Sequence, residues 1–187
     1  WSVLREFYVQ PPVLPLRITE IMYHPGPLTP AEREAGFTDA ELFEYLELAN
    51  VSNEPIDLTD VRLVQVPVGD AVDGVAFEFS RGRISRLGPG QRVVVANNEA
   101  AFSARYGTEV MVAGQWSGGL RNSSEQITLM HGNNLVQRVT YSDEWVTATD
   151  GAGAALELAY PYPEDRELWN RAASWRASVL PMGSPGL

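Results

Sequence analysis

Short runs of alternating apolar and polar residues, each stopped within about ten residues by glycine, proline or asparagine, constrain this chain more than any other feature. In the run LRITEIMY, Leu16, Ile18, Glu20 and Met22 fall on one side and Arg17, Thr19, Ile21 and Tyr23 on the other. In FEYLELANV, Phe43, Tyr45, Glu47 and Ala49 oppose Glu44, Leu46, Leu48 and Asn50. Period-two spacing of this kind gives a strand one apolar face. Further strands are expected at 61–66, 75–79, Arg92–Ala96, 126–130, 135–141 and 154–159, with Gly132-Asn133-Asn134 as the hairpin turn between the runs 126–130 and 135–141. Only two helices are signalled. Thr29-Pro30-Ala31-Glu32 is a capping box with proline at the first helical position, opening a short helix that stops at Gly36. A second helix is bracketed by Asn98 as N-cap and Gly107 as stop. Strands at such intervals, with sixteen glycines and thirteen prolines in 187 residues, predict an all-β, antiparallel sandwich with one or two short helices.

Pro11, Pro12 and Pro15 disfavour regular pairing, so residues 1–15 read as a linker or extended entry segment and 16–187 as the sandwich domain. The first residue is tryptophan, and no basic start followed by an apolar core occurs, so a processed or excised fragment is expected. No uncharged apolar stretch is long enough for a membrane-spanning helix.

A net charge of −10 repels phosphate backbones and argues against a nucleic-acid partner. The absence of cysteine excludes disulfides, thiolate metal sites and cysteine nucleophiles. No G-x-S-x-G elbow is present, and Ser117-Gly118-Gly119 reads as a turn.

The ordered motifs LRITEIMYHP, FEYLELANVSNEPIDLTDVRL, LGPGQRVVVANNEAAFSARYG, GLRNSSEQITLMHGNNLVQRVTYSDEW, DGAGAALEL and WRASVLPMGSPG resemble the lamin tail domain family, bacterial type, over nearly all of residues 16–186. The resemblance implies an immunoglobulin-like β-sandwich. It also implies a non-catalytic interaction or structural module within a larger exported bacterial protein, extracellular or in the cell envelope, with a protein or cell-surface polymer as partner and no cofactor. The segments 24–38 and 160–173 depart from shorter members, and insertions at loop ends are where binding variation arises.

Two other functions are expected to leave marks in the residues. A carbohydrate- or calcium-binding module could use Trp116, Arg121, Asn122 and Trp145 as ligand-binding residues. Asp143, Glu144 and Asp150 would then be the candidates for calcium, a hard cation that needs several converging oxygens. The plainer reading makes the aspartates turn formers and the tryptophans core. A carboxylate-dependent hydrolase would rest on Glu20 and Glu47, both on strands; the plainer reading has Glu47 pairing an arginine or holding a loop backbone. The acids Glu32, Glu34, Asp39, Glu41, Glu44 and Glu47 read as a solvated acidic face. His24 and His131 are the whole histidine supply.

Overall fold

A computed structural model describes residues 13–162 and 166–187. Ten strands form the two main sheets: β1 (Leu16–Met22), β2 (Tyr45–Asn50), β3 (Val61–Val64), β4 (Phe77–Glu78), β5 (Arg92–Ala96), β6 (Val112–Gln115), β7 (Ser124–His131), β8 (Asn134–Ser142), β9 (Leu156–Leu158) and β10 (Trp175–Ala177). One sheet runs β6-β5-β2-β1-β9-β10 and the other β8-β7-β3-β4. Their facing sides close over one core that includes Ile18, Ile21, Leu46, Leu48, Val93, Val95, Leu63, Ile127, Leu129 and Val139. This is an immunoglobulin-like β-sandwich. The expected entry segment, residues 1–15, lies outside the described residues except for its last three, of which Val13 and Leu14 pack on the core.

The two predicted helices form where their caps place them. Helix α1 (Pro30–Glu34) carries the complete capping box: the Thr29 side chain accepts from the Glu32 amide and the Glu32 carboxylate from the Thr29 amide. Helix α2 (Glu99–Tyr106) starts under Asn98, whose side chain accepts from the Ala101 amide, and ends at Gly107 with φ of 81°. Two strands of the main sheets fall outside the expected runs. β6 is a glycine-containing stretch too short to alternate visibly, and β10 lies in the tryptophan-rich tail. β6 also pairs with β5 in parallel, which an all-antiparallel scheme does not contain. The α2 crossover between the two strands supplies the connection that parallel pairing needs.

Strict alternation fails inside β1. The β1–β2 ladder shifts between Ile18 and Glu20, so Thr19 and Glu20 together oppose Glu47. Past that bulge the faces exchange: Leu16 and Ile18 face the sandwich core before it, and Ile21 and Tyr23 after it. Glu20 and Met22 are thereby turned onto the outer face of the sheet with Tyr45 and Val94, where Phe102 and Tyr106 of α2 cover them. The larger sheet is covered on both sides, which makes the molecule three-layered at this point. That is why every residue of β1 and β2 is buried.

Candidate functional site

Of the acids read as a solvated face, Glu34, Asp39 and Glu41 are exposed, whereas Glu32, Glu44 and Glu47 are buried. Glu32 is buried and binds Arg105 at 2.7 and 2.9 Å, and the guanidinium of Arg105 lies 3.8 Å from the centre of the Phe43 ring. This pairing holds the Glu32 carboxyl down to about 2. It joins α1 to α2, so the insertion is anchored rather than loose. Glu44, 1 % exposed, accepts from Asn97 Nδ2 at 2.9 Å and from the Leu120 amide at 3.4 Å through one oxygen, while its other oxygen has no partner among the described residues. Burial pushes its carboxyl up to about 8, with Glu41 and Glu125 adding repulsion.

Glu20 and Glu47, the pair a carboxylate hydrolase would need, are direct cross-strand neighbours on the same face. They are 2 % and 0 % exposed. Above them lies the C-terminal segment: the Ser184 amide donates to Glu20 at 2.7 Å and the Gly186 amide to Glu47 at 2.6 Å. Thr19 Oγ1 donates to Glu47 at 2.7 Å and the Arg92 guanidinium at 2.5 Å. Glu47 thus both pairs an arginine and holds a loop backbone. Gly183 (φ 93°) passes so close to the Tyr45 hydroxyl that a side chain there has no room. Burial, with the nearby charge of Glu47, pushes the Glu20 carboxyl up to about 7 against the opposing hydrogen bonds from Ser184. The two acids are a fastening for the tail.

The loop-end residues are dispersed. Trp116, just past the end of β6, is 5 % exposed and lies in the core, so of its two readings the packing one holds. Trp145 is half-buried against the core, tilted over Trp175 at 6.5 Å. Arg121 pairs with Asp73, and its carbonyl accepts from the Tyr141 hydroxyl at 2.6 Å. Asn122 donates to Glu41 at 3.4 Å. Asp143 and Glu144 share the Ser142 hydroxyl in a turn, whereas Asp150 binds His24 Nδ1 at 2.7 Å. Among the described residues no three histidine or carboxylate side chains converge as metal ligands.

The described residues also line surface concavities. A groove of about 620 Å³ opens where the sheets part, between β4 and β6, lined by residues that include Arg62, Arg81, Arg83, Phe77, Gln115 and Trp116. A shallower depression is lined by Tyr160, Tyr162, Leu168, Ala173 and Ser174, with the two tyrosines 75 % and 71 % exposed. The second falls in the insertion at 160–173; the first had no signature in the sequence, since its residues come from four separate segments.

The model of the Lamin Tail Domain family matches residues 10–143. The chain belongs to the lamin tail domain family. The match ends at the start of the turn after β8, so β9, β10 and the tail that covers Glu20 and Glu47 lie past the matched part of this lamin tail domain. No curated protein matches the chain. Membership makes it an immunoglobulin-like interaction or structural module, and no helix among the described residues is long and apolar enough to cross a membrane.

Proposed function

We propose that this lamin tail domain is a non-catalytic contact module of a larger exported bacterial protein, placed outside the cell or in its envelope, and that it binds protein partners through its rims and edges. The observation that carries this reading is the sealing of Glu20 and Glu47. Both Glu47 oxygens are taken, by the Gly186 amide, Thr19 and Arg92, and Glu20 Oε1 accepts from the Ser184 amide; with Glu20 2 % and Glu47 0 % exposed, the two acids turn no open face toward a substrate. Glycoside cleavage needs two carboxyls flanking a bond, with the acid and the nucleophile or water both accessible. The purified chain is therefore expected to leave a panel of glycosides, esters and phosphodiesters unhydrolysed. Turnover well above buffer that Glu20→Gln abolishes would end the proposal.

A second reading, contact with a surface polysaccharide, is favoured by Tyr160 and Tyr162. Exposed aromatic faces beside an apolar hollow stack on sugar rings and cost the fold nothing to display. On a glycan array the chain would retain neutral glycans, and Tyr160→Ala with Tyr162→Ala would remove that retention without moving the melting temperature. An array with no retained glycan removes this second reading.

A further inference from the structure

The groove between β4 and β6 has a construction that the fold alone does not call for. The Trp116 amide donates to Ala96 of β5 at 3.0 Å, so by the pleat of the strand its neighbours Gln115 and Ser117 turn their main-chain groups to the opposite edge. Ser117 is satisfied there, exchanging two hydrogen bonds with Ala76 at 2.9 and 3.0 Å. Two residues the other way, the Ala113 carbonyl is satisfied by the Arg83 amide at 2.8 Å. Between these closures Gln115 has no main-chain partner on that edge among the described residues. Continuing the Ala76–Ser117 register would set Gln115 opposite Glu78, but Glu78 pairs with Arg62 in the other sheet. The sheets part here, leaving the Gln115 main-chain groups on an open stretch of the β6 edge beside Phe77 and Trp116.

The charges lining this opening are unequal. Arg81 binds Glu78 at 2.8 Å and Arg83 binds Glu99, so two of the three guanidiniums are neutralised within the groove wall. Arg62, half-buried on β3, has no ion pair or hydrogen bond among the described residues. A guanidinium with no ion pair among the described residues, next to the open Gln115 edge and an aromatic floor, matches an extended peptide that adds a short strand to β6 and sets a carboxylate on Arg62. We infer that the β4–β6 groove binds an extended peptide segment of a protein partner bearing one acidic residue, with Gln115 supplying the main-chain pairing and Arg62 the charge. This rests on reading the chain as a protein-contact module and names the surface and the partner chemistry.

The decisive experiment pans a phage-displayed library of linear nine-residue peptides on the whole chain, then titrates the recovered peptides as synthetic material. Amide and indole resonances are followed by nitrogen–proton correlation NMR. Expected are sequences sharing an Asp or Glu at one position, shifts at the Gln115 amide and the Trp116 indole, and binding weakened at least about tenfold by Arg62→Gln or by Asp→Asn in the peptide. Arg62→Gln is expected to keep the wild-type melting temperature. Recovery of no peptide family, peptides whose common charge is basic, shifts confined to another surface, or affinity indifferent to Arg62→Gln overturns the inference. So does binding of an oligogalacturonate at Arg62 with no peptide recovered. Peptides that bind elsewhere would refute the groove and still support a contact module, whereas hydrolysis of the substrate panel would refute the module.

Discussion

Raising the pH from 5 to 8.5 is expected to lower the melting temperature of this protein by about 10 °C. Glu20 and Glu44 hold their protons to about 7 and about 8 in the folded chain because burial disfavours the charged form. Unfolded, both ionise near the ordinary value of 4.5, so between that value and 8 the native state binds protons that the unfolded state has released. Stability is therefore fully present below about 4.5 and is lost as the pH climbs through the two folded values. One unit is worth about 1.4 kcal/mol, and the two groups together amount to several kcal/mol, or about 10 °C for a chain of this size after relaxation is allowed for. Below 4.5 the slope reverses, because Glu32 is held down by Arg105 and its contribution disappears as it protonates toward 2. Thermal scans should place the maximum near pH 5. Glu44→Gln puts an amide where the unpartnered oxygen sits and keeps the acceptor for Asn97 and Leu120. It should be neutral at pH 5 and stabilising at pH 8.5, as should Glu20→Gln to a smaller degree. A melting temperature flat from pH 5 to 8.5 would contradict the assignment of both groups.

Glu47→Ala is expected to cost about 3 kcal/mol, read as a shift in the urea midpoint. Removing the carboxylate deprives three donors at once: the Gly186 amide, Thr19 Oγ1 and the Arg92 guanidinium. Breaking a buried ion pair from one side is costly because the other members stay desolvated. Arg92 is one-third exposed and regains some water, which keeps the figure at the lower end. The tail should also come loose: amide exchange at Ser184 and Gly186 is expected to rise while the β2–β5 ladder stays protected. Loss of catalytic turnover is not part of this expectation. A variant as stable as the parent, with the tail still protected, would mean that the tail is held by its apolar contacts alone.

Much of the scaffold was legible because it is written in local patterns. The capping box at Thr29–Glu32, the Asn98 and Gly107 caps, the strand Arg92–Ala96 and the Gly132 hairpin each depend on backbone preferences of a few adjacent residues. The candidate sites were far less legible. Trp116 sits among glycines and invites an exposed reading, yet its burial is decided by which side of β6 faces the second sheet. Glu32, Glu44 and Glu47 look as solvated as their exposed neighbours because their partners, Arg105, Asn97, Leu120 and Gly186, are 53 to 139 positions away in the chain.

The one-residue bulge at Thr19 and Glu20 shows where local pattern stops. Alternation along β1 is a property of the sequence, but which residue repeats a face is settled only when Glu47 of the neighbouring strand stands opposite both. From the order of its residues alone, this protein's β-rich class, its family and its helix ends are determined, since each arises from short-range sterics and period-two spacing. The sealed acid pair, the third layer of α2 and tail, and the groove that holds Arg62 and Gln115 are determined by packing. Burial, charge pairing and hydrogen-bond satisfaction belong to groups brought together from distant segments, and no local pattern encodes which groups those are.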